Sequence, residues 1–149
     1  MSGDADMIKL YSQRILALSA DIPHLDRLEA PQATAKERSP LCGSTVTVDL
    51  SLKDGKIAAF GQDVKACALG QASAAVSGAV IIGRTRAEVE TARAQLKAML
   101  KSDGPVPDAP FDGFDVLMPA KDYKNRHASI LLTLDATLAA FDKALEAAA

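Results

Sequence analysis

Apolar and polar positions alternate strictly from Thr45 to Leu52. Val46, Val48, Leu50 and Leu52 share one face, and Thr45, Thr47, Asp49 and Ser51 share the other. A period of two marks a β-strand with one apolar face. The strand runs into Lys53-Asp54-Gly55-Lys56, where Asp-Gly is the pair that tolerates positive φ in a tight turn. The chain from Lys56 is therefore predicted to return as an antiparallel partner. Together these segments predict strands over about 44–66, a hairpin with a third strand following Gly61.

Helical periods surround the hairpin. Ile8, Tyr11, Ile15 and Leu18 lie near one face, with Leu16 alongside, and predict a helix over 5–19. An Ala- and Ser-rich run opens at Cys67 and ends at Gly83, predicting a closely packed helix over 67–82. Thr85 and Glu88 form a Thr-x-x-Glu capping box ahead of Val89, Ala92, Leu96 and Leu100, which predicts a helix over 85–101. Tyr123, His127, Ile130, Leu131, Leu134, Leu138, Phe141 and Leu145 step by threes and fours, predicting a last helix over 121–147.

Residues 20–41, with Pro23, Pro31 and Pro40, read as an irregular connection. The four-proline stretch 102–119 reads as mostly loop, with Phe111, Phe114, Val116 and Leu117 turned inward. No internal repeat is visible. The order helix, strands, helices predicts an α+β fold in which a small antiparallel sheet packs against helices.

Composition narrows the function. With 149 residues, 48% of them hydrophobic, the chain reads as a single domain over 1–149 with a core of its own. Its 17 basic and 19 acidic residues nearly cancel, and no cluster of Lys and Arg is dense enough to track a phosphate backbone, so nucleic acid is not the expected partner. The first residues are acidic where a secretory signal would be basic. No apolar run approaches the ~20 residues that span a bilayer. A cytoplasmic protein without a membrane partner is the expectation. In that compartment two cysteines read as metal ligands, reactive thiols or buried fillers rather than a structural bridge.

Cys67 opens a helix, where unpaired amide donors suit a sulfur that binds metal or attacks another sulfur. A small buried residue in a small-residue helix is an equally good reading of it. Cys42 is followed by Gly43, which lets a metal or a partner's sulfur approach the backbone. The two cysteines sit just before and just after the predicted strands, so they can converge at one end of the hairpin. Two thiolates are an incomplete set for zinc or for a cluster held wholly by protein. His127 is the candidate third ligand, although a histidine on an apolar stripe is more often a core residue with one satisfied hydrogen bond. His24 reads as surface. Phosphate-binding glycine loops, a nucleophile elbow and a credible carboxylate pair are all missing from the sequence.

These stretches resemble the iron–sulfur cluster assembly scaffold family of the IscU, SufU and NifU N-terminal type. "PLCGSTVTVDLSLKDGKI" is similar to that family's Cys-Gly, alternating strand and hairpin, and "ACALGQASA" to its second cysteine opening a small-residue helix. "RHASIL" is similar to its third ligand segment, and the amino-terminal "LYSQRI...PHL" to its opening helix. The proline-rich stretch is closer to the SufU arrangement, and "LMPAKDYK" stands in place of the IscU type's Pro-Pro-x-Lys motif.

The resemblance implies an IscU/SufE-like fold in which three cysteines and an aspartate surround a cluster. Sulfur would arrive as persulfide from a cysteine desulfurase, and the cluster would pass to apo iron–sulfur proteins. By position Cys42 and Cys67 are two of the cysteines, Ser44 replaces the aspartate, and Ala128, preceded by His127, replaces the third cysteine. The implied function is a scaffold or carrier rather than an enzyme. It would bind iron or an iron–sulfur cluster, 2Fe–2S being the expected type, through Cys42, Cys67 and His127, with Ser44 and Arg126 as auxiliaries. Losing two anionic groups and one soft ligand weakens the hold of a single chain, so an external thiol or a homodimer would complete the site. The alternatives are a zinc-dependent persulfide acceptor and a degenerate regulatory homologue.

Overall fold

The structure, a computed structural model, describes residues 12–40 and 43–148. Its elements are α1 (Gln13–Ala20), β1 (Ala33–Arg38), β2 (Thr45–Lys53), β3 (Lys56–Lys65), α2 (Ala68–Val80) and α3 (Arg86–Lys101), then 3-10 segments Phe111–Asp122 and Lys124–Arg126, and α4 (His127–Ala148). The strands form one antiparallel sheet in the order β1-β2-β3, giving an α+β fold. Within the β2–β3 turn Asp54 has φ 54° and Gly55 φ 76°, the positive pair that the Asp-Gly sequence foretells.

The third strand is β1, inside the stretch that reads as irregular, and β3 runs unbroken through Gly61 to Lys65. The hydrophobic pattern hides β1 because Ala35 is its only buried residue. Its strand conformation comes instead from pairing with β2, Ala33 opposite Leu50 through Arg38 opposite Thr45, and from packing against α4.

β2 also departs from a one-sided strand. Val46, Val48 and Leu50 enter the core, yet Asp49 on the opposite face is fully buried as well. Arg27 Nε donates to its carboxylate at 2.5 Å, Thr34 Oγ1 at 2.5 Å and the Leu28 N–H at 3.1 Å. Burial works to raise the carboxyl pKa, but these hydrogen bonds and the Arg27 charge outweigh it and hold Asp49 below its ordinary value. This cluster, with the Gln62 N–H donating to the His24 carbonyl at 2.8 Å, fastens the proline-containing connection to the sheet.

Among the helices, α1 starts after the N-cap Ser12, whose hydroxyl accepts from the Ile15 N–H; residues 5–11, which complete the predicted first helix, lie outside the described residues. The capping box of α3 forms in both directions, between Thr85 Oγ1 and the Glu88 N–H and between Glu88 Oε1 and the Thr85 N–H. α4 begins at His127 rather than near 121, because the chain from Phe111 to Asp122 is a 3-10 run containing Pro119. That run carries Phe111, Phe114, Val116 and Leu117 into the core, as their apolar character predicts, where the Phe111 and Phe114 rings stack 6.2 Å apart. α4 is the central element: Ile130, Leu134, Ala140 and Phe141 are buried as it packs on β1, β2, α2 and α3.

Candidate functional site

Strand register brings three chain segments to one end of the sheet. Arg38 pairs with Thr45 and Thr45 with Lys65, so the end of β1, the start of β2 and the end of β3 lie side by side. The β1–β2 connection is closed at its base by the Ser39 N–H donating to the Ser44 carbonyl at 2.8 Å. The Gly43 N–H donates to the Ser39 carbonyl at 3.1 Å, with Gly43 at φ 70°. Cys42 belongs to this connection in sequence and lies outside the described residues. From β3 the chain passes through Ala66 to Cys67, the N-cap of α2.

Cys67 is half-buried, and its side chain makes no capping hydrogen bond. The sulfur turns instead toward α4, where Cys67 Sγ lies 3.6 Å from Ser129 Oγ, within hydrogen-bond range for sulfur. Ser129 Oγ in turn donates to Ser44 Oγ at 3.2 Å. Ser129 is 1% exposed and Ser44 5%, so a thiol and two hydroxyls form a contiguous, largely buried polar chain.

The helices can meet this closely because residue 70 is glycine. A Cβ there would stand 2.6 Å from Ser129 Oγ and 2.8 Å from the Ala66 Cβ. One turn further, Ser73 Oγ donates to the Ile130 carbonyl at 2.6 Å and ties α2 to α4 again.

His127 is buried, as its place on the apolar stripe implies, and its Nε2 sits 3.1 Å from the Ala120 carbonyl and 3.0 Å from that of Lys121. Carbonyls only accept, so Nε2 is the donor to them, and the ring's other nitrogen is Nδ1. That atom is buried without a hydrogen-bond partner among the described residues. Arg126 is half-buried in the short 3-10 turn, and Ala128 is half-buried between His127 and Ser129. His24 is exposed, with its ring edge-on to Phe60 at 6.0 Å.

Of the candidate residues, then, Cys67 and Ser44 meet through Ser129, while the His127 ring is tied to the backbone of the 3-10 segment. Among the described residues no group of three or more His, Cys, Asp or Glu could hold a metal ion. Ser129 is the residue that reading the sequence overlooks. Its signal is a polar stripe, Ser129, Thr133 and Thr137, recurring every fourth residue of α4 and buried throughout.

The chain is similar to a solved nitrogen-fixing NifU-like protein (N-terminal) from Brucella abortus. The two share 42% identity with TM-score 0.91, over 95% of this chain and 98% of that one. A protein from Fervidobacterium islandicum AW-1, described as an iron–sulfur cluster assembly scaffold for the SUF system, shares the fold at TM-score 0.79 and 22% identity, over 90% of this chain and 98% of that one. A hypothetical protein does so at TM-score 0.76 and 17% identity, over 91% and 98%. No protein-family model matches the chain, and no curated protein does.

Proposed function

The chain belongs to the NifU-like family, of the IscU, SufU and NifU N-terminal type, and from that premise we propose that it is an iron–sulfur cluster assembly scaffold or carrier. In this reading residues 1–149 act as a single cytoplasmic domain whose cargo is iron or an iron–sulfur cluster, 2Fe–2S in type. Cys42 and Cys67 are the soft ligands. The observation that carries the reading is the contact from Cys67 through Ser129 to Ser44, which stands two residues after Cys42 in sequence.

Hydroxyls are poor partners for a soft metal, so the cargo needs both thiolates and ligands from elsewhere. His127 can contribute only through Nδ1, its Nε2 being engaged by the Ala120 and Lys121 carbonyls. Ser44 and Arg126 serve as auxiliaries. An external thiol or a second copy of the chain supplies what is missing, a cysteine desulfurase supplies sulfur, and apo iron–sulfur proteins receive the product. A carrier holding its cargo this lightly suits transfer better than storage.

Anaerobic reconstitution with iron and sulfide, followed by visible absorption, tests this. Cys42→Ser and Cys67→Ser are each expected to lower uptake severalfold; unchanged uptake in both would sink the assignment. A second reading, a persulfide acceptor with zinc ordering the site, draws on the half-buried state of Cys67, which leaves its sulfur within reach of a donor. Incubation with a cysteine desulfurase and cysteine, then mass spectrometry, separates the two. A gain of one sulfur atom on Cys42 or Cys67 favours the acceptor, and its absence from both removes it.

A further inference from the structure

We infer that the solvent-facing side of the sheet, at the end beside Cys42 and Cys67, is a docking surface for an acidic segment of a partner protein. The surface belongs to the chain whatever its cargo. That the partner serves the Cys42 and Cys67 site rests on the scaffold reading above.

Strand register builds the surface. Thr45 and Thr47 point away from the core face of Val46 and Val48, and directly paired residues on neighbouring strands share a face. Arg38 on β1 and Lys65 on β3 therefore flank Thr45, and Lys36 and Asp63 flank Thr47. One row further on lies Asp49, where Arg27 is bound. Lys36, Arg38 and Lys65 are all exposed, the Lys65 side chain by 75%. Asp49 offsets Arg27, and Asp63 offsets Lys65 across a loose 3.9 Å pair. Lys36 and Arg38 enter no ion pair among the described residues, so these rows carry a positive surplus on a chain whose formal charge is -2.

The spacing of the charges selects the occupant. Neighbouring strands lie about 4.8 Å apart and alternate residues of one strand about 6.8 Å. Arg38 and Lys65 thus stand on the order of 10 Å apart across Thr45, with Lys36 about 7 Å along β1. A single carboxylate or phosphate group is too small to bridge them. An extended segment with acidic side chains at alternate positions repeats at the same ~6.8 Å and meets Lys36 and Arg38 in turn. A nucleic acid is held by on the order of six to ten phosphate contacts, more than two rows offer. The position suits the cysteines. A Cβ at Gly43 would lie 4.0 Å from Arg38 Nη2, so the guanidinium leans on the connection that contains Cys42, and Lys65 precedes Cys67 by two residues. An acidic segment seated here is held beside both, and attraction between opposite charges steers it in.

The test titrates a fluorescein-labelled hexaglutamate peptide against the full chain at low ionic strength, read by fluorescence anisotropy, with labelled hexathymidylate for comparison. Binding is expected, and it should fall steeply as salt is added. Lys36→Gln and Arg38→Gln should each weaken it about two- to fivefold, the size of one exposed ion contact. Lys53→Gln and Lys56→Gln, at the hairpin end of the same sheet, should leave it unchanged. In the unsubstituted protein the peptide should shift the amide resonances of Thr45 and Thr47, a reading that needs no variant to fold.

The inference is overturned if the peptide does not bind, if added salt does not matter, or if Lys53→Gln and Lys56→Gln weaken binding as much as the two β1 variants. Hexathymidylate binding more tightly than the peptide, with the same dependence on Lys36 and Arg38, would give the surface to nucleic acid and overturn it too. Iron takes no part in these readings. A failed reconstitution therefore leaves the docking surface standing, and a peptide that does not bind leaves the scaffold reading standing.

Discussion

At the scale of single residues the most consequential polar group away from the site is Asp49. Its carboxylate is fully buried and receives Arg27, Thr34 and the Leu28 N–H, so one side chain gathers two residues of the connection between α1 and β1 and one of β1 itself. The pH dependence follows from the sign of its shift. A carboxyl held below its ordinary value of 3.8 in the folded state contributes stability that is fully present above that value. The contribution is lost as pH falls through the lower folded value. Asp49→Asn is expected to cost about 2 kcal/mol at neutral pH. It should also flatten the loss of stability on acidification below about pH 4, measured by urea denaturation of both proteins across the acid range. An equal acid slope in the two proteins would assign that loss to other carboxyls. Asp49 is legible in sequence as the polar member of an alternating strand. Its burial is not, because Arg27 and Thr34 approach it from outside the strand.

At the scale of elements the informative contact is α2 against α4. The small residues of α2 predict close packing, and Gly70 and Ser73 deliver it where they meet Ser129 and the Ile130 carbonyl of α4. Gly70→Ala improves helix propensity by up to about 1 kcal/mol, yet its Cβ meets Ser129 Oγ and Ala66 Cβ well inside contact distance. We expect a net destabilisation of about 1–3 kcal/mol by thermal or chemical melting. A variant more stable than the parent would show that the helices have slack at this crossing. The same element contains the clearest difference between pattern and structure. The α4 stripe predicts a helix from 121, but Pro119 and a 3-10 run defer its start to His127. The delay places the His127 ring beside the Ala120 and Lys121 carbonyls.

For the whole molecule, α4 is the axis about which sheet and helices are arranged, so damage to its buried face should be felt globally. Leu134 is fully buried, and Leu134→Ala is expected to cost about 2–5 kcal/mol. It should lower the single unfolding midpoint in chemical denaturation, while loss confined to one probe would mean that α4 is less central than its packing indicates. The sequence by itself determined the features whose cause lies within a few residues. These are the alternation of β2, the Asp54-Gly55 turn, the Thr85–Glu88 capping box and the apolar stripe of α4. Propensity, turn chemistry and periodicity act over one or two turns, so each is written where it operates. Tertiary structure alone decided that 33–38 is a strand, that the His127 ring bonds backward to the 3-10 carbonyls, and that Cys67 faces Ser129 rather than its own helix amides. Those outcomes depend on partners brought together by the fold, 62 residues apart for Cys67 and Ser129 and 85 for Ser129 and Ser44. A hydroxyl or a thiol has no periodicity of its own that announces which distant neighbour it will meet.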